Sequence, residues 1–141
     1  MHADLRDPDA ILAKPDTRRL IDFSAPVAIL FVAVLHFISD TDGPHAIARR
    51  YLDAAPPGSC LVISHVTSDP SRQTAADVAA VYAGTANPAT PRTRARIAAF
   101  FDGLDMIEPG LVPVPQWRPG QPGQHDPGKG WLIGGIGRKP A

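Results

Sequence analysis

The segment Pro26-Val-Ala-Ile-Leu-Phe-Val-Ala-Val-Leu-His-Phe-Ile38 is apolar at every position except His36. Successive side chains of a strand point to opposite faces, so a run without polar alternation predicts a strand covered on both faces of a sheet. Such strands belong to parallel α/β sheets, whose ligands bind beyond the C-terminal ends of the strands. His36 and the polar run Ser39-Asp-Thr-Asp42 stand at that end. The segment is short of the ~20 residues that cross a bilayer as a helix. A central strand also needs a neighbour on each side.

The residues that follow supply one neighbour. Asp42-Gly43-Pro44 is a helix start, with Pro44 suited to the first helical position. Ile47, Ala48, Tyr51, Leu52 and Ala55 then recur at helical spacing, and Pro56-Pro57-Gly58 turns the chain. Ser59-Cys-Leu-Val-Ile-Ser-His65 reads as a second buried strand. Residues 26–65 are therefore predicted to form a βαβ unit with parallel strands.

Residues 1–25 form a lead-in. A short helix opens at Asp7-Pro8, breaks at Lys14-Pro15 and resumes from Asp16 to Ile21. Residues 66–103 are predicted as helices. One runs from Asp69-Pro70 to a stop at Gly84; the next is capped by Thr90 or Thr93 and closed by Gly103. Residues 104–139 are predicted as an antiparallel strand pair. Its first member, Met106 to Val114, is irregular and suited to an edge because of Pro109 and Pro113. Its second is Trp131 to Gly137, reached through the proline- and glycine-rich loop 115–130.

At 141 residues the chain is predicted to be a single domain. Fourteen basic and fourteen acidic residues leave no net charge, so nothing favours a nucleic-acid or membrane-surface partner over a small molecule. Cys60 is the sole cysteine, which excludes an internal disulfide and fits a reducing compartment. The opening Met-His-Ala-Asp-Leu-Arg-Asp has no apolar signal core. These features predict a cytoplasmic protein.

Five segments together resemble one family. They are Ala3-Asp-Leu-Arg-Asp-Pro8, the run 26–37, Pro57-Gly-Ser-Cys-Leu-Val-Ile-Ser-His65, Phe100-Phe-Asp-Gly-Leu104 with Glu108-Pro-Gly-Leu-Val-Pro113, and Gly134-Gly-Ile-Gly-Arg-Lys139. In that order they are similar to the second half of a class I, S-adenosylmethionine-dependent methyltransferase. The likeness is to the actinobacterial S-adenosyl methyltransferases. It implies an α/β fold: a partial Rossmann-like sheet of strands equivalent to 4, 5, 6 and 7 in the order 3-2-1-4-5-7-6, with the last strand antiparallel. It implies S-adenosyl-L-methionine as cofactor. Strands 1 to 3 and the acidic, glycine-rich cofactor loop have no counterpart in these residues. Gly134-Gly135-Ile-Gly137 precedes no helix and is not such a loop. The chain is therefore expected to be incomplete, and weakly active or inactive alone.

The resemblance implies cofactor contacts at Asp4 and Arg6, with Asp7 in the same motif, and at Leu35 and His36. A carboxylate at Asp4 suits the adenine amino group as an acceptor. His36 is also the candidate base, since imidazole titrates near neutrality; a strand-end histidine bonded to nearby backbone is the plainer alternative. His65 ends the next parallel strand and is expected close to His36. With Tyr82, Trp117 and Arg118 it is a candidate for the substrate pocket. Trp131 reads as a packing anchor. A metal held by His36, His65 and Asp40 or Asp69 is not expected, because no close ligand spacing supports it. Ser64 and His65 point to opposite faces and form no dyad. Cys60 reads as inert core.

Two functions follow. The first is a methyltransferase acting on a small molecule. The second is a non-catalytic remnant or partner subunit, in which strand 26–38 pairs through its bare edge with a second copy or with a separate N-terminal segment. An unrelated hydrolase or metal enzyme ranks last, since no Gly-x-Ser-x-Gly elbow is present.

Overall fold

In the computed structural model, which describes residues 3–69, 72–117 and 130–141, the two apolar runs become parallel neighbours. Strand β1 (Ala28–Val32) pairs with β2 (Cys60–Val66), Phe31 lying opposite Ile63. Helix α3 (Pro44–Asp53) connects them. Its end is held by Lys139, whose Nζ donates to the carbonyls of Leu52 and Ala55 at 3.1 and 2.7 Å. Strand β5 (Leu132–Arg138) lies antiparallel on the other side of β2. The two-residue strands β3 (Asp105–Met106) and β4 (Val112–Pro113) both pair antiparallel with β5. The order β1-β2-β5-β3, with β5 antiparallel, is the 4-5-7-6 order that the resemblance implies.

The strand expected over 26–38 is shorter than its hydropathy suggests. It stops at Val32, because Ala33 takes a left-handed conformation (φ 51°) and turns the chain out of the sheet. Residues Leu35–Phe37 then form a 3-10 turn, and Asp40–Asp42 a second one. Leu35 and Ile38 are buried, so their apolar character reflects burial in a turn rather than in a strand. Periodicity does not separate those two cases.

Coverage of both faces is also corrected. Phe31 is buried, but Leu30 and Val32 on the other face of β1 are 60% and 58% exposed. Among the described residues, helices cover one face. Ile47, Ala48 and Leu52 of α3, Ile97 of α5 (Arg94–Ala98), and Phe100 and Phe101 of the turn after it close over Phe31, Leu61, Ile63 and Ile133. Gly137 permits this on β5: a Cβ there would lie 2.9 Å from Phe101 Cδ1.

The remaining elements follow their caps. Helix α1 (Pro8–Ala13) is capped by Asp7, which accepts from Ala10 N–H, and α2 (Pro15–Leu20) restarts after Lys14. Helix α4 spans Arg72–Tyr82. Thr93, not Thr90, caps α5. The single strand expected from Met106 to Val114 is instead β3 and β4 separated by a turn, in which Gly110 (φ 82°) donates to the Ile107 carbonyl. Cys60 opens β2 half-buried rather than sealed in the core. Arg118, and 118–129 of the loop predicted over 115–130, lie outside the described residues. No described helix is long and apolar enough to cross a membrane.

Candidate functional site

The turn at Ala33 creates a strap, residues 33–42, across the C-terminal ends of β1 and β2. Ala33 N–H is held by Ser64, donating to its Oγ at 2.9 Å. Ser39 starts the second turn of the strap, its Oγ accepting from Asp42 N–H. Gly43, in the left-handed region (φ 67°), leads into α3.

Beneath the strap lies Arg92, whose side chain is wholly buried. Its backbone extends the sheet: Arg92 N–H donates to Val66, and Ser68 N–H to Arg92. The guanidinium uses each of its N–H groups. Nε and Nη2 donate to Asp40 Oδ1 at 3.1 and 2.8 Å. Nη1 donates to the Leu35 carbonyl at 3.0 Å and Nη2 to the Ile38 carbonyl at 2.8 Å. Nη1 also lies 2.8 Å from His65 Nε2. Asp40 is shared with Arg96, and hydrogen bonds from Arg96 and then Arg92 hold its carboxyl below the usual carboxylate range.

His65 is sealed from solvent at the end of β2. Its Nδ1 lies 2.8 Å from the Val66 carbonyl, an obligate acceptor, so Nδ1 carries the proton. Burial pushes its pKa down to about 4, against the Val66 bond, and the Arg92 charge adds to the shift. The expected approach of the two histidines is present, with ring centroids 5.4 Å apart, edge to face. His36 sits in the strap, not on a strand, and is buried. Its carbonyl accepts from Thr90 N–H at 2.6 Å, while its Nδ1 has no partner among the described residues. Burial and then the Arg92 charge push its pKa down to about 4 as well.

Two clefts flank the strap and share a wall, Phe37 set edge-on against Tyr82 with centroids 5.0 Å apart. The first, about 480 Å³, is lined by Asp4, Leu5, Arg6, Val34, Ile38, Thr85 and Asn87 beside that pair. At its rim Arg6 grips the Asp4 carboxylate through Nε and Nη2, and its backbone N–H bonds the same group. These bonds hold the Asp4 carboxyl at about 2, so it is an ionised acceptor. Tyr51 OH donates to the Leu5 carbonyl and fixes the segment. The second cleft, about 380 Å³, is lined by Ala33, His36, Val66, Val81, Trp131 and Leu132 with the same pair.

The site residues named from the sequence are thus only partly brought together. Asp4, Arg6 and Tyr82 meet in the first cleft, and His36 and Tyr82 in the second. The Leu35 side chain faces the core; Val34 and Phe37 beside it line the cleft. His65 stands behind His36 without reaching either cleft. Trp117 lies apart, with Val32, Ser64 and Val114 in a hollow of about 310 Å³ on the sheet. No three described His, Cys, Asp or Glu residues are placed to hold a metal ion. Sequence reasoning missed Val34, Phe37 and Arg92. The first two were legible as neighbours of His36; Arg92 had no local signal.

The arrangement at the first cleft suits an adenine: apolar and aromatic walls for the ring, and an ionised carboxylate for an amino donor. Among the described residues, no helix N-terminus with a glycine-rich loop faces this cleft to take the rest of an S-adenosyl group.

The family model for S-adenosyl methyltransferases matches residues 1–140. A DUF574 family protein from Streptomyces avermitilis superposes with a TM-score of 0.91 at 37% identity, covering 99% of this chain and 54% of that one. A proposed methyltransferase from Thermobifida fusca gives 0.90 at 35%, covering 100% and 53%. An O-methyltransferase family protein from Burkholderia thailandensis, 15% identical with a TM-score of 0.62, shares the fold alone over 35% of its length. No curated protein matches this sequence. The chain spans about half the length of these first two solved relatives. The sheet order, the match of the family model over nearly every residue and the two relatives above 30% identity agree: this chain belongs to the S-adenosyl methyltransferase family.

Proposed function

We propose that the chain carries the adenine-binding and acceptor-facing part of an S-adenosylmethionine-dependent methyltransferase for a small molecule. The observation that carries this reading is the pair of clefts divided by Phe37 and Tyr82, with ionised Asp4 on one side and His36 on the other. The cofactor supplies an electrophilic methyl sulfonium. Val34 and Phe37 enclose the adenine ring, and Asp4, braced by Arg6, accepts from its amino group. His36 lines the second cleft, on the acceptor side of that wall, and burial keeps it neutral there.

Titration of the chain with S-adenosylhomocysteine, followed by backbone amide NMR shifts, tests the reading. Shifts should concentrate at Leu5, Val34, Phe37 and Tyr82. Asp4→Asn should weaken the interaction about tenfold, the worth of one hydrogen bond to a charged acceptor. Binding of the isolated chain should be weak, because the described residues meet only the adenine end. No shifts in this cleft, or submicromolar affinity by calorimetry, would overturn the assignment.

A second reading, a partner subunit, is favoured by β1. It pairs with β2 on one side only among the described residues, and Leu30 and Val32 are exposed beside the open edge. An apolar edge of this kind recruits another strand, and a second copy of the chain would supply one. Sedimentation equilibrium at micromolar concentration should then show a dimer. A monomer with sharp cooperative unfolding counts against this reading.

A further inference from the structure

A guanidinium donates hydrogen bonds and accepts none. The 2.8 Å contact between Arg92 Nη1 and His65 Nε2 therefore requires a lone pair on Nε2, while Val66 requires the proton on Nδ1. Both ring nitrogens of His65 are committed, and its form is determined: neutral, Nδ1–H. The same guanidinium takes the carbonyls of Leu35 and Ile38 and the carboxylate of Asp40, and Thr90 next door takes the carbonyl of His36. One short segment, 90–92, thus grips the strap at four successive points, and the strap carries Val34, His36 and Phe37.

We propose that Arg92 is a positioning residue that locks His65 in its neutral Nδ1–H form and sets the strap that carries His36 to the wall of the second cleft. The tautomer lock stands on geometry alone. Its consequence for His36 rests on the methyltransferase reading. The other rings facing His65 are His36 and Phe100, with centroids 5.4 and 6.1 Å away, and behind Phe100 the stacked imidazole of His45, whose charge would also act on His65.

The test is a long-range proton–nitrogen correlation spectrum of the histidine rings in the full chain. His65 should show a protonated Nδ1 and an unprotonated Nε2, unchanged from pH 8 to pH 5.5. In Arg92→Met the His65 signals should move with pH, or show both tautomers. Because that variant risks unfolding, His65→Gln and His65→Leu provide a second arm. A Gln carbonyl can accept from Arg92, so His65→Gln should keep most of the urea midpoint, while the apolar His65→Leu should lose clearly more. A His65 that titrates in the native chain, or that carries its proton on Nε2, overturns the lock; so does equal loss in the Gln and Leu variants. If the lock is found while S-adenosylhomocysteine moves no amide in the first cleft, the cofactor assignment fails and the lock survives.

Discussion

Lowering the pH from 7 to 5 should cost the folded chain about 3–4 kcal/mol. His36 and His65 each have a folded pKa near 4, against about 6.5 in the unfolded chain. Between those values the unfolded state binds protons that the folded state refuses, so stability falls as pH falls. At pH 5 each ring contributes a loss of about 2 kcal/mol relative to pH 7. Asp40 does not confuse this window. Its folded pKa is depressed, so its contribution is intact above the usual carboxylate range and is lost only at lower pH. Urea unfolding at pH 7, 6 and 5 measures the effect, and His65→Gln should remove about half of the slope. A free energy independent of pH over this range would show that the two rings are not held neutral.

Phe31→Ala should cost about 3–5 kcal/mol, the range for truncating a buried aromatic. Phe31 is 3% exposed and meets Tyr51 edge-on with centroids 5.6 Å apart. Its neighbour Leu30 is 60% exposed, so Leu30→Thr should stay within about 0.5 kcal/mol. The contrast between adjacent positions is the informative quantity, because a one-residue slip in register would exchange the two faces. Guanidinium unfolding of both variants measures it. Comparable losses would refute the register that pairs Phe31 with Ile63.

Much of this architecture was legible in the sequence where a local rule and the tertiary context agree. Strand β2 and helix α3 follow from their apolar periodicity, and the caps Asp7 and Thr93 from their side-chain oxygens. The first strand was legible as buried but not in length, because hydropathy at Leu35 and Ile38 says only that they avoid water. The exposed face of β1 was unreadable for the same reason. Of the site, His36 and its closeness to His65 follow from parallel topology. Arg92 does not. Its partners stand at 35, 38, 40 and 65, and a fully buried arginine is rare enough that no pattern around Thr-Pro-Arg-Thr would suggest it.

The position of β5 inside the sheet governs the order in which this fold can be completed. Among the described residues, strands β3 and β4 find their pairing only on β5, and β5 also occupies the second edge of β2. At ~5–20 residues per second a ribosome takes about 1–4 s to pass from Pro113 to Leu132. During that interval β3 and β4 are synthesised without their partner, and β2 presents a free edge beside Leu61 and Ile63. Strand β5, made after the other four described strands, joins three separate edges into one sheet, so their pairing waits for translation to reach its glycines.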